Sequence, residues 1–96
     1  MKRLLLVLLL GAMSHFTWAQ QNFPVKGTVR DKGNNPLSGA SVNVKGSNNG
    51  TVTNENGTFT IDVSKGQTLV FSFTGKQEAE FTVNNNNYIN ISLAEK

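Results

Sequence analysis

The sequence has 96 residues, with nine basic and six acidic side chains, a formal charge of +3, one His and no Cys. Without cysteine there is no disulfide framework, and with a single His the usual zinc ligand sets are excluded. The length admits one small domain whose core must come from packed aliphatic and Phe side chains.

Residues 1–19 read as a secretory signal peptide. Lys2 and Arg3 make a basic start, Leu4 to Leu10 is a continuous apolar run, and Thr17 and Ala19 are small residues placed for cleavage before Gln20. A membrane-spanning helix needs about 20 apolar residues, and Ser14, His15 and Thr17 interrupt this run too early. No Cys follows it to carry a lipid. Residues 20–96 then form the exported domain. Its basic residues are Lys26, Arg30, Lys32, Lys45, Lys65, Lys76 and Lys96, against Asp31, Glu55, Asp62, Glu78, Glu80 and Glu95, so the charge falls to about +1. No basic stripe for nucleic acid and no transmembrane segment remain after cleavage. His15, Trp18 and both Met residues leave with the leader.

The domain alternates. Val25, Gly27 and Val29 point one way, and Lys26, Thr28 and Arg30 the other, which is the period of a half-buried strand. Asp31 to Asn35 supply turn residues, with Gly33 and Asn34 suited to positive φ. Pro36 belongs at an edge or before a strand. Ala40, Val42 and Val44 make the second apolar stripe, and "GSNNG" turns the chain. Gly50 to Thr53 is a short, weak strand, followed by the hairpin signal "NENG" at Asn54 to Gly57. Phe59, Ile61 and Val63 follow in phase. Leu69, Phe71 and Phe73 form the most apolar strand, where Val70 suggests burial on both faces. Ala79, Phe81 and Val83 form the next stripe, and Ile89, Ile91 and Leu93 the last, with Tyr88, Asn90 and Ser92 facing outward. Seven strands, turn signals at short intervals and no helical period predict an all-β, seven-stranded antiparallel β-sandwich.

These residues resemble a known family. Val25-Gly27-Val29, then Pro36 to Val44, then Gly50-Thr51 through Gly57 and Phe59, then Leu69 to Phe73 and Ile89 to Leu93, match in order the carboxypeptidase regulatory-like domain. The likeness is to the version at the N-terminus of starch-utilisation-type TonB-dependent outer-membrane receptors of Bacteroidota. It spans most of residues 20–96 and implies an Ig-like, prealbumin-like sandwich in the periplasm, near the outer membrane. In that pattern Gly27 allows a close approach to the first strand, Gly39 and Gly57 take unusual backbone conformations, and Phe59 plugs the core. One departure is Lys76, where the family often has an aromatic after the glycine. A second is that the receptors continue into a plug and a barrel, whereas this sequence ends at Lys96. A free-standing module and the start of a truncated receptor gene are both open readings.

No enzyme is expected. The remaining carboxylates include Glu78 and Glu80 on one face of one strand, about 7 Å apart, but an exposed strand beside a Lys is an ordinary solvated edge. Calcium would need six to eight oxygens; Asp31 with Asn34 and Asn35, or Asn54, Glu55 and Asn56, offer a few, and Asn and Asp in turns chiefly serve turn geometry. No cofactor and no metal are therefore expected. The expected function is a non-catalytic interaction or accessory module of the cell envelope, with a receptor-type barrel as partner, docking by an edge strand or a loop end. The Lys76–Glu80 edge reads as protected, and Gly50 to Thr53 as less guarded. The alternative is a carbohydrate-binding module. Its candidate contacts are Tyr88, the one outward-facing aromatic, with Asn85, Asn86 and Asn90.

Overall fold

The computed structural model describes residues 22–84 and 88–96. Among them there are seven strands and no helix: β1 Phe23–Asp31, β2 Ser41–Val44, β3 Gly50–Val52, β4 Thr58–Val63, β5 Thr68–Ser72, β6 Ala79–Thr82 and β7 Tyr88–Leu93. They form a three-stranded sheet in the order β4-β1-β7 and a four-stranded sheet in the order β3-β2-β5-β6. The signal peptide expected over residues 1–19, and the candidate residues Asn85 and Asn86, lie outside the described residues.

The alternation of the sequence becomes the core. Val25, Val29, Phe59, Ile61, Val63, Ile89 and Leu93 come from the first sheet, and Val42, Val44, Leu69 and Phe71 from the second. Leu37, Ala40 and Val83 join them from the connections, and all are buried in one cluster. Each Val, Leu, Ile or Phe among them contributes on the order of 1.5–3 kcal/mol by leaving water. Phe59 and Phe71 join the two sheets directly, with ring centroids 5.6 Å apart and planes at 62°, the edge-to-face geometry that aromatic quadrupoles favour.

Glycine matters most at two places. A Cβ on Gly27 would lie 2.2 Å from the Ile89 carbonyl oxygen and 2.7 Å from the Phe59 ring, so β1 can be approached this closely only because residue 27 has no side chain. Gly57 has φ of 74° and closes the turn after β3, where its N–H donates to the Asn54 carbonyl at 2.9 Å. In the turn after β1, Asn34 takes the left-handed conformation, with φ of 68°, and Gly33 does not.

One pairing departs from the antiparallel expectation. β1–β4, β2–β3, β2–β5 and β5–β6 are antiparallel, but β7 lies parallel to β1, Gly27 opposite Ile89 and Val29 opposite Ile91. The cause is the route of the chain. β4 pairs along one side of β1, and β7 reaches the other side only after the chain has run through β5 and β6 of the second sheet. A crossing of that kind permits the parallel direction, which a hairpin cannot give. Two boundaries also move. The weak strand ends at Val52, because Thr53 turns inward, and the apolar strand ends at Ser72, leaving Phe73 half-buried.

Candidate functional site

The outer face of the β4-β1-β7 sheet carries the two described candidates. Register places Tyr88 beside Lys26, with Thr60 on the far side of Lys26. Asn90 lies beside Thr28, with Thr58 beyond it, and Ser92 lies beside Arg30. Tyr88 is 53% exposed. Thr28 faces outward but is buried between its neighbours, and its hydroxyl donates to Asn90 Oδ1 at 2.5 Å. That bond fixes the amide so that its Nδ2 is the group left for solvent or a ligand. Neither Lys26 nor Arg30 is in an ion pair with another described residue; the ion pairs among those residues are Lys45–Glu80, at 3.3 Å, and Lys76–Glu95. The result is a flat face of hydroxyls, one amide, one exposed ring and two cations. Alternation alone identifies Tyr88 and Asn90. Lys26, Thr28, Thr58 and Thr60 join them only through pairing between distant strands.

The oxygen clusters weighed for calcium are engaged in turns. Both Asp31 carboxylate oxygens accept from Asn35 Nδ2 at 3.2 Å, and Oδ1 also accepts from the Asn35 N–H at 2.9 Å. These donors, the backbone N–H first, hold the Asp31 carboxyl below its usual range. Asn54 Oδ1 accepts from the N–H of Asn56 at 2.9 Å and of Thr58 at 3.1 Å. Of the two carboxylates proposed to share a strand face, Glu80 pairs with Lys45, and Glu78 is exposed just before β6. The buried polar side chains also serve the scaffold. Thr53 Oγ1 donates to the Leu37 carbonyl at 2.5 Å and accepts from the Ala40 N–H at 2.9 Å. Ser64 Oγ donates to Asn22 Oδ1 at 2.5 Å.

An open cleft of about 530 Å³ lies at one end of the four-stranded sheet, lined by Ser41, Ser72, Phe73, Thr74, Lys76 and Glu78 among others. Lys76 occupies the position where the family pattern often has an aromatic. Its side chain is only 12% exposed, and its ammonium pairs with Glu95. The surrounding backbone is stitched as well: Gln77 N–H donates to the Ala94 carbonyl at 2.8 Å and Lys96 N–H to the Gly75 carbonyl at 3.3 Å. The aliphatic stem of Lys76 therefore packs while its charge is neutralised, and the segment after β7 is clasped to the β5–β6 connection.

Comparison with known proteins gives the chain a family and relatives. The CarboxypepD_reg-like domain family matches residues 25–96. The chain is 37% identical over 83 residues to the TonB-dependent receptor SusC of Bacteroides thetaiotaomicron, which covers 86% of the chain and 8% of that receptor. It is 41% identical over 69 residues to the TonB-dependent receptor P26 of Formosa agariphila, covering 72% of the chain and 7% of the receptor. The chain thus spans less than a tenth of the length of these relatives.

Proposed function

The chain belongs to the CarboxypepD_reg-like domain family, and from that premise we propose that it is a non-catalytic interaction module of receptor-type systems in the cell envelope. The observation that carries this reading is the likeness of most of the chain to short stretches of two TonB-dependent receptors. The chemistry of the fold supports it. Asp31, Asn54, Thr28, Thr53 and Ser64 all spend their hydrogen bonds on turns, strands and neighbouring side chains, as suits a scaffold. In this reading residues 1–19 direct export and are removed, the domain begins at Gln20, and it works in the periplasm near the outer membrane. The partner is a receptor-type barrel protein.

The test has two parts. Mass spectrometry of the protein from a cell-envelope fraction should give the mass of residues 20–96. Crosslinking in cells, followed by isolation of the domain, should recover a TonB-dependent receptor. A domain retained in the cytoplasm, or crosslinks to no receptor, would refute the reading.

One observation favours a second reading, a carbohydrate-binding module. Tyr88 is exposed beside an amide held by Thr28, and a ring flanked by hydrogen-bonding groups suits a sugar. On a glycan array, Tyr88→Ala should then lose retention; unchanged retention would eliminate this reading.

A further inference from the structure

Three of the four sheet edges are guarded. β3 has only three residues. β4 carries Asp62, whose carbonyl accepts from Asn49 Nδ2 at 2.8 Å. β6 carries Glu80, paired with Lys45, and the segment before it is clasped by residues 94–96. Short strands, charges and covering contacts are the means by which sheet proteins block edge-to-edge pairing. Along its own length, and among the described residues, β7 has none of them: its six residues, Tyr88–Leu93, include no charge, no Pro and no Gly. A neutral, β-prone run of this length is the kind of segment that pairs readily.

The backbone direction follows from contacts. The Ile89 carbonyl is turned towards β1, where it crowds the missing Cβ of Gly27. Along a strand these groups alternate between sides, so those of Tyr88, Asn90 and Ser92 face away from β1. Ala94 continues the same series, and its carbonyl does face outward, accepting from Gln77. The outward series is therefore occupied at Ala94 and Lys96, and no described residue pairs with it at Tyr88, Asn90 and Ser92.

We propose that β7 pairs with β7 of a second copy of this chain, antiparallel about a two-fold axis at Asn90. Two three-stranded sheets then become one of six strands. In this register Asn90 meets Asn90, Tyr88 meets Ser92 on the polar face, and Ile89 meets Ile91 on the core side, so both faces match. The contact is self-complementary, as a two-fold interface requires. It also brings no like charges together. Lys26 and Arg30 lie one strand in, so the two copies of β1 are separated by three strand spacings, about 14 Å, beyond the screening length of ~8 Å in physiological salt. β7 itself carries no charge that would repel its own copy, and the cations of β1 stay beyond the screening length, which favours a second copy as occupant. The proposal is independent of the envelope reading above.

The full chain contains no cysteine, so single-cysteine variants give a clean test. Under mild oxidation, Asn90→Cys should form a covalent dimer, and Thr82→Cys on the exposed β6 edge should remain monomeric. A mixture of Tyr88→Cys and Ser92→Cys chains should crosslink, while neither alone does, which reads the register without altering Asn90. The unmodified chain should sediment as a concentration-dependent dimer. Ser92→Pro, which removes one outward N–H, should weaken that dimer about tenfold or more with its circular dichroism retained. A chain monomeric at its highest soluble concentration, or an Asn90→Cys variant that crosslinks no faster than Thr82→Cys, overturns the proposal.

Discussion

The β4-β1-β7 sheet is built from strands of six to nine residues, and the β3-β2-β5-β6 sheet from strands of three to five. The first relies on backbone. Its central strand is paired along both sides, and Gly27 brings it against both Ile89 and Phe59. The second has too little ladder to do the same and relies on side chains. Phe71 fills the gap between sheets, Thr53 satisfies two backbone groups before β2, Lys45–Glu80 reaches across β5 from the end of β2 to β6, and Thr68–Thr82 links β5 to β6. A sandwich this small is thus held by two different means, and substitutions should fail differently in its halves.

The largest effect is expected in the side-chain half. Phe71→Ala removes a fully buried ring and its contact with Phe59, and should cost ~3–5 kcal/mol, a large share of the ~5–15 kcal/mol typical of a domain. Urea denaturation reads this as a lower midpoint, and an unchanged midpoint would mean that the core does not depend on this ring. Gly27→Ala probes the backbone half. Because the new methyl meets a carbonyl as well as a ring, the cost should be at or above the ~1–3 kcal/mol of ordinary overpacking. Hydrogen exchange should show the loss first in β1 and β7. Protection lost evenly over both sheets would erase the distinction drawn between them.

Thr53→Val keeps the shape of the side chain and strands the Ala40 N–H and the Leu37 carbonyl. The expected cost is ~1–3 kcal/mol, with Thr53→Ser recovering most of it. If valine is tolerated, the short sheet does not need this bond. The smallest effect concerns the end of β1. Asp31 is held below its ordinary value of 3.8 in the folded chain. Its contribution is therefore present above that value and is lost as the pH falls through the lower folded one. Asp31→Asn should remove this component, leaving a slightly flatter acid limb in a pH series of thermal midpoints. An identical limb would show that the Asn35 contacts contribute nothing measurable.

Much of the fold was legible beforehand because its signals are local. The stripes Val25-Val29, Val42-Val44, Phe59-Ile61-Val63 and Leu69-Phe71 all face the core, and Gly57 sits at the predicted turn. The misses are residues whose partners lie far along the chain. Thr28 and Thr53 read as outward or indifferent positions and are buried, because Asn90 and the Leu37–Ala40 segment reach them. Lys76 reads as a missing aromatic and is a packed, paired side chain, because Glu95 comes alongside. In the candidate site, Tyr88 and Asn90 could be picked by phase, whereas Lys26 and Thr60 needed the pairing. The edge that reads as less guarded, Gly50 to Thr53, is the shortest strand, and β7 is the longer edge strand that carries no charge.

The amino-acid order by itself determined which residues form strands, where the chain turns and which face of each strand is oily. Those properties depend on side-chain period and backbone freedom over a few residues. Tertiary structure decided which strands meet. The parallel union of β1 with β7, the Thr28–Asn90 bond across 62 positions and the clasp at Lys76 all follow from the path of the chain between sheets. Strand pairing is a contest among nearly equivalent backbones, and it is settled by the loops that deliver each strand and by closure of the common core, neither of which is encoded within any one strand.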